Sequence, residues 1–319
     1  MNWRDARHRV EYALVRAVRA VVGAMPEAVA RGLGTIIGAA FYVADGKHRR
    51  LAVQQLRAAF PSKTADECRA IARATFAHFG RLLVALLRFS TFTPEQMRAR
   101  IEIEGDDRVR AALAHERGVL IITGHFGFWE LQGLAHALVL PSMSVVARPL
   151  DNPYLHQLLE EARRATGNRV IYRQGALRRI LRALAANECI AILIDQHIQP
   201  ADAVVVDFFN RPVSTTAAVA TLALRTGAPI VPAFALPLAR GRYRFVYEHP
   251  IEVPSPTAAD PVRELTQRCT DVLEMYVRRH PHLWLWMHRR WRDQDSEPAS
   301  IPGMFPSAAP DEVEEPADS

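Results

Sequence analysis

Apolar positions along the chain change their period near residue 100. Up to about residue 92 they recur at helical spacing. Val15, Val18 and Val22 stand three or four apart with Arg16 and Arg19 beside them. Pro26, Gly46 and Pro61 separate the helical stretches. Ser62-Lys63-Thr64 then precede a long helix in which Cys68, Ile71, Ala72, Thr75, Phe76, Phe79, Leu82, Leu83 and Leu86 share roughly one face. From Ile101 onward, short apolar runs predict strands over 118–123, 143–147, 169–172, 189–195 and 229–236. Residues 243–253 alternate and predict an edge strand. Helical stretches fall between most of them, over 129–140, 153–166, 175–187 and 214–226, with a further helix over 261–279. Apolar strands alternating with helices predict an α/β fold, a central and largely parallel sheet flanked by helices. The crossovers are expected to be right-handed. Beyond Arg292, five prolines and eight acids in 27 residues predict a disordered tail. The expected organisation is a helical region over 1–95, an α/β domain over 96–292 and an acidic tail over 293–319.

The 319 residues suffice for a full core. Net charge is +6, but the tail is acidic throughout, so the preceding 292 residues carry +14. Such a body favours anionic partners. No nucleic-acid-binding motif accompanies the charge, so nucleic acid is not expected. Cys68, Cys189 and Cys269 lie far apart, which excludes a disulfide scaffold and a cysteine-rich zinc site. His280, His282 and His288 lack the spacing of a metal set, and neither metal nor cofactor is expected.

No stretch reads as a clean membrane span. The apolar run from Tyr12 to Met25 is interrupted by Arg16 and Arg19, and the run over 33–44 holds Gly34 and Gly38. Threaded arginines fit a basic amphipathic helix lying on a membrane, or a surface helix packed on its own domain. Residues 1–45 are expected to bind an anionic membrane surface without crossing it. Trp284, Trp286 and Trp291 with Arg289, Arg290 and Arg292 would form either an interfacial belt or a partly core segment with only the arginines wet.

Candidate chemistry gathers at strand ends, where open α/β sheets bind ligands. Gly124-His125-Phe126-Gly127-Phe128-Trp129-Glu130 directly follows the 118–123 strand. On one continuous helix His125 and Glu130 would be about 140° out of register. They meet only if the chain turns between them, which the glycines allow. A carboxylate on one imidazole nitrogen raises the basicity of the other. The alternative is a loop histidine satisfied by backbone and an ordinary first-turn acid. Asp195 ends the fourth strand over the same face. It could pair with Arg148, support the site, or be structural.

Gly-His-x-Gly-x-Trp-Glu after an apolar strand resembles the lipid A biosynthesis (lauroyl/myristoyl) acyltransferase family. That family lies within the lysophospholipid acyltransferase superfamily, whose signature is His-x4-Asp/Glu. Further landmarks follow in the family's order. They are Ala147-Arg148-Pro149 with Asn152, Gly175, Asp195-Gln196, Phe208-Phe209-Asn210-Arg211-Pro212, Thr226-Gly227-Ala228-Pro229 and Trp284-Leu285-Trp286-Met287-His288-Arg289-Arg290-Trp291. The likeness covers roughly residues 10–292.

The resemblance implies an enzyme that moves a fatty acyl group from a thioester, on acyl carrier protein or coenzyme A, to a hydroxyl of a membrane glycolipid. His125 would be the general base and Glu130 its orienting carboxylate. Backbone N–H groups near Gly127 and the Arg148 guanidinium would serve the oxyanion; Arg148 could instead hold a substrate phosphate. Attack would be direct, since the chain has no Gly-x-Ser-x-Gly elbow. Phe128 stands where family members commonly carry Asn, which bears on acceptor choice. With Phe126 and Trp129 it is expected to line an acyl groove. The implied location is the cytoplasmic face of the inner membrane, peripheral or monotopic. Rival readings are another acceptor (a lysophospholipid, a phosphatidylinositol mannoside or an aminolipid), or a non-catalytic lipid-binding protein of the same fold.

Overall fold

A computed structural model describes residues 3–147, 149–172, 175–198, 203–255 and 257–292. The helical front comprises α1 (Trp3–Ala24), α2 (Glu27–Ala44), α3 (Gly46–Ala59) and α4 (Ala65–Phe89). A capping box starts α4: the Thr64 hydroxyl accepts from Glu67 N and the Glu67 carboxylate accepts from Thr64 N. α2 crosses α4 through bare backbone. A Cβ on Gly38 would lie 2.2 Å from Phe76 O, and one on Gly80 would lie 2.1 Å from Gly34 O. The two glycines that interrupt the apolar run of α2 therefore form its contact with α4. Both helices are long and apolar enough to cross a membrane by length and composition, and α4 is the more buried.

The strands are β1 (Ile101–Glu104), β2 (Val119–Thr123), β3 (Met143–Ala147), β4 (Arg169–Tyr172), β5 (Cys189–Leu193), β6 (Ala203–Asp207), β7 (Pro212–Thr216), β8 (Ile230–Pro237) and β9 (Tyr243–Tyr247). Seven form one sheet in the order β1-β9-β8-β2-β5-β3-β4, while β6 and β7 form a separate antiparallel hairpin. Every pairing in the large sheet is parallel except β8 with β9. The remaining helices are α5 (Pro94–Arg98), α6 (Asp106–Leu113), α7 (Trp129–Ala135), α8 (Pro153–Arg164), α9 (Ala176–Ala185), α10 (Ala218–Thr226) and α11 (Pro261–Arg279).

Alternate residues of β2 face opposite sides of the sheet. Leu120 and Ile122 join a core with Leu56, Cys68, Phe76, Leu273 and Trp284. Val119 and Ile121 join a second with Leu82, Phe89, Phe128 and Leu131. α3 and α4 thus share their cores with the sheet.

Two strand assignments change. β9, expected at an edge, lies between β1 and β8. The edge on that side is the four-residue β1, whose Glu102 and Glu104 alternate with Ile101 and Ile103 and suit a wet border. The stretch 214–226 is not one helix. Ser214, Thr215 and Thr216 belong to β7, and α10 begins only at Ala218.

The glycine crossing has a direct test. Gly38→Ala and Gly80→Ala should each destabilise by about 1–3 kcal/mol or more, because backbone must move to admit the methyl group. Gly32, on the same helix as Gly38, meets nothing within 4 Å of an added Cβ. Gly32→Ala should be neutral or stabilise by up to about 1 kcal/mol through helix propensity. Urea denaturation of the three variants measures the contrast.

Candidate active site

The parallel pairing of β2 with β5 aligns Thr123 with Leu193. Each chain runs two residues further, delivering His125 and Asp195 side by side at the carboxyl ends of the strands. Asp195 is 3% exposed. Its Oδ1 accepts from His125 Nδ1 at 2.8 Å. Its Oδ2 accepts from His125 N at 2.7 Å and from Trp284 Nε1 at 2.9 Å. A buried carboxylate on Nδ1 fixes the proton there and leaves Nε2 as the basic nitrogen. The imidazole keeps about a fifth of its surface open, and the Gln196 amide nitrogen lies 3.5 Å from Nε2. The Trp129 ring meets the imidazole edge to face, 5.2 Å between centroids.

Charge follows geometry. Burial alone would lower the His125 pKa, but the Asp195 carboxylate, with a smaller contribution from Glu130, raises it above the ordinary histidine value. Burial would likewise raise Asp195. The imidazole and the N–H donors outweigh that and hold it below the usual carboxylate range. Below its pKa His125 is imidazolium and cannot accept a proton, so the base is available only at and above that raised value.

The carboxylate hydrogen-bonded to the His125 ring is Asp195, whereas Glu130 makes its ion pair elsewhere. Glu130 lies in the first turn of α7 and pairs with Arg163 of α8 at 3.0 Å. Phe128 caps α7 outside helical geometry and the helix starts at Trp129. The expected backbone donors are also engaged. Phe126 N donates to Gly124 O, Gly127 N to Leu283 O and Phe128 N to Ala235 O. Gly127 has φ +60, and a Cβ there would lie 2.1 Å from Ala235 O, so two separate constraints demand glycine.

The aromatics of this turn separate. Phe126 is fully buried against Phe234 and Tyr276. Phe128 is buried against His78 and Tyr243 and lines a cavity toward α2 and α4. Only Trp129 stands beside His125. Arg148 and the acidic tail lie outside the described residues.

Sequence reasoning named the tryptophan-arginine segment 284–292 without seeing its role. Trp284, Trp286 and Trp291 are all core. Arg290, expected to be wet, is 1% exposed. Its guanidinium donates to Gln196 O, Ser214 O and the Thr215 hydroxyl, and burial lowers its pKa to about 10. Gln55 of α3 donates to Trp286 O and His288 O and accepts from Arg290 N. The three cysteines are free and buried. Burial raises Cys68 and pushes Cys189 and Cys269 to about 12, which leaves no thiolate nucleophile. Among the described residues no cluster of His, Cys, Asp or Glu could hold a metal.

A histidine held by a buried carboxylate at the rim of a mostly parallel sheet is an arrangement that could take a proton from a substrate. Residues 4–293 match the family of bacterial lipid A biosynthesis acyltransferases, and the chain belongs to that family. It is 25% identical over 278 residues to a lipid A biosynthesis palmitoleoyltransferase of Escherichia coli, covering 87% of this chain and 89% of the relative. A lauroyltransferase from the same organism is 24% identical over 81% of this chain and 83% of that one. A phosphatidylinositol mannoside acyltransferase of Mycobacterium tuberculosis is 26% identical over 70% and 71%. Among solved structures, the 1-acyl-sn-glycerophosphate acyltransferase of Thermotoga maritima aligns with TM-score 0.36 and 13% identity, covering 79% of this chain and 96% of that one.

The two carboxylates separate by titration. Asp195→Asn should lower the His125 pKa, read by NMR of the imidazole, and Glu130→Gln should lower it less. An equal or larger effect of Glu130→Gln would return the orienting role to that residue.

Proposed function

We propose that this protein is an O-acyltransferase that moves a fatty acyl group from an acyl thioester to a hydroxyl of a membrane glycolipid, with His125 as general base and Asp195 as its orienting carboxylate. The observation that carries this reading is the imidazole held by Asp195 through Nδ1 while about a fifth of the side chain stays open. A hydroxyl is a poor nucleophile at neutral pH and must lose its proton as it attacks. His125 Nε2 takes that proton while the hydroxyl oxygen adds to the thioester carbonyl, and Asp195 stabilises the imidazolium. Collapse of the tetrahedral intermediate breaks the C–S bond and releases the thiol, which recovers the proton from His125. With the turn's own N–H groups engaged, the oxyanion falls to side-chain donors, for which Gln196 and Arg148 are the candidates. Glu130 contributes its charge and holds the buried Arg163. The donor is acyl carrier protein or acyl-coenzyme A, and the basic body suits either.

The front, residues 1–95, serves as the membrane-associating region, on the cytoplasmic face of the inner membrane and without crossing it. Val10, Leu14, Val18 and Val21 of α1 and Val29, Ile36 and Val43 of α2 are exposed at helical spacing, the pattern of helices lying in an interface. Relatives named for lipid A biosynthesis and for phosphatidylinositol mannoside lie at similar identity. Mass spectrometry of total lipids with and without the gene distinguishes these acceptors.

His125→Ala should fold, by circular dichroism, yet lose about 10²–10⁴ in transfer rate with a fatty acyl thioester donor. Retention within a few-fold would remove His125 from the chemistry. Val18→Asp with Ile36→Asp should weaken co-sedimentation with anionic vesicles, and raising salt should weaken the wild type as well. Unchanged sedimentation would place the membrane contact elsewhere.

A further inference from the structure

Behind the catalytic turn, between α2, α4 and the β8–β9 connection, lies a cavity of about 660 Å³, within the usual range for small-molecule sites of about 300–1,000 Å³. Its walls divide by chemistry. Val84, Phe89, Phe92 and Phe128 make one part apolar, while Arg31, Arg81 and His282 line another. Neither Arg31 nor Arg81 has a carboxylate partner among the described residues. Arg81 reaches only the Thr35 hydroxyl, at 3.4 Å. The single acid in the wall, Glu27, is paired with Arg88. His78, also in the wall, is fully buried. Its Nε2 donates to Gly127 O at 3.0 Å, and its Nδ1 has no partner. Two unpaired guanidiniums facing one cavity repel each other unless an anion joins them. Ile36 lines the same cavity and is 68% exposed on the apolar outer face of α2, so the cavity opens onto the surface assigned above to the membrane.

We propose that this cavity binds an anionic phospholipid, its phosphate held between Arg31 and Arg81 and a hydrocarbon chain lying along Val84, Phe89, Phe92 and Phe128. His125 is not among the lining residues, so the bound lipid is not the reacting one. It braces the turn from behind, because the wall includes Phe128 of the turn and Leu283, whose carbonyl accepts from Gly127 N. The proposal rests on the membrane reading of α2 only for the route of entry, and binding requires no turnover.

The test is thermal denaturation of the full chain with short-chain phosphatidylglycerol below its micellar concentration, with short-chain phosphatidylcholine and inorganic phosphate as comparison arms. A ligand that binds only the folded state raises the melting temperature. Phosphatidylglycerol is expected to raise it in the wild type and equally in His125→Ala, which separates binding from acyl transfer. Arg31→Gln with Arg81→Gln should weaken that binding by about tenfold or more. Thr35→Trp, at an exposed position of α2, should block it by filling the cavity, and it decides the matter should the arginine variant fail to fold. Three results would overturn the proposal: phosphatidylcholine acting as strongly as phosphatidylglycerol, inorganic phosphate alone reproducing the shift, or undiminished binding in the folded variants.

Discussion

One carboxylate fastens three parts of the chain. Asp195 comes from the end of β5, accepts both the backbone and the ring N–H of His125 beyond β2, and accepts the indole N–H of Trp284 from the C-terminal segment. A buried charge is tolerable only when its lone pairs are matched by donors. Here the matching donors are also the groups that aim the imidazole. Taking out the carboxylate would leave three N–H groups facing a void and free the ring to turn. Site geometry and local stability thus draw on the same carboxylate.

The turn that carries His125 is clamped from both sides. Gly127 N donates to Leu283 O, Phe128 N donates to Ala235 O, and Gly127 O accepts from His78 of α4. Segment 284–292 is in turn fixed by Gln55 of α3 and by the buried Arg290. Helices from the front of the chain and residues from its far end thus converge on one loop. Their packing is why α3 and α4 share the core of the sheet. His78 stays neutral there because burial, with Arg81 adding to it, lowers its pKa to about 3, so its bond to Gly127 persists across the ordinary pH range.

The alternation of strands and helices was legible because strands inside a covered sheet read as apolar runs, and β2 and β5 do. His125 was legible too, since glycines on either side of a polar residue at a strand end mark a turn. Its partner was not. Local spacing pointed to Glu130, five residues on, whereas the real contact spans seventy residues and exists because β2 and β5 are neighbours, a fact of strand order that no sequence window contains. The same blindness put β9 at an edge. The hairpin of β6 and β7 escaped because Ser214, Thr215 and Thr216 lack the apolar alternation of a strand and run directly into a helix. Arg290 misled for a different reason. Arginine beside tryptophan suggests a wet rim, and the carbonyls of Gln196 and Ser214 with the Thr215 hydroxyl make a dry position tolerable.

The buried cysteines bear on self-protection. Any free thiolate in an acyltransferase is a competing acceptor for the acyl group, because transfer to it needs only an ionised sulfur with access to the acyl carbonyl. Cys68, Cys189 and Cys269 meet neither condition: each is sealed in the core, and burial pushes each toward the protonated form. The fold therefore keeps its three thiols chemically silent, and an acyl group brought to the protein's surface meets none of them.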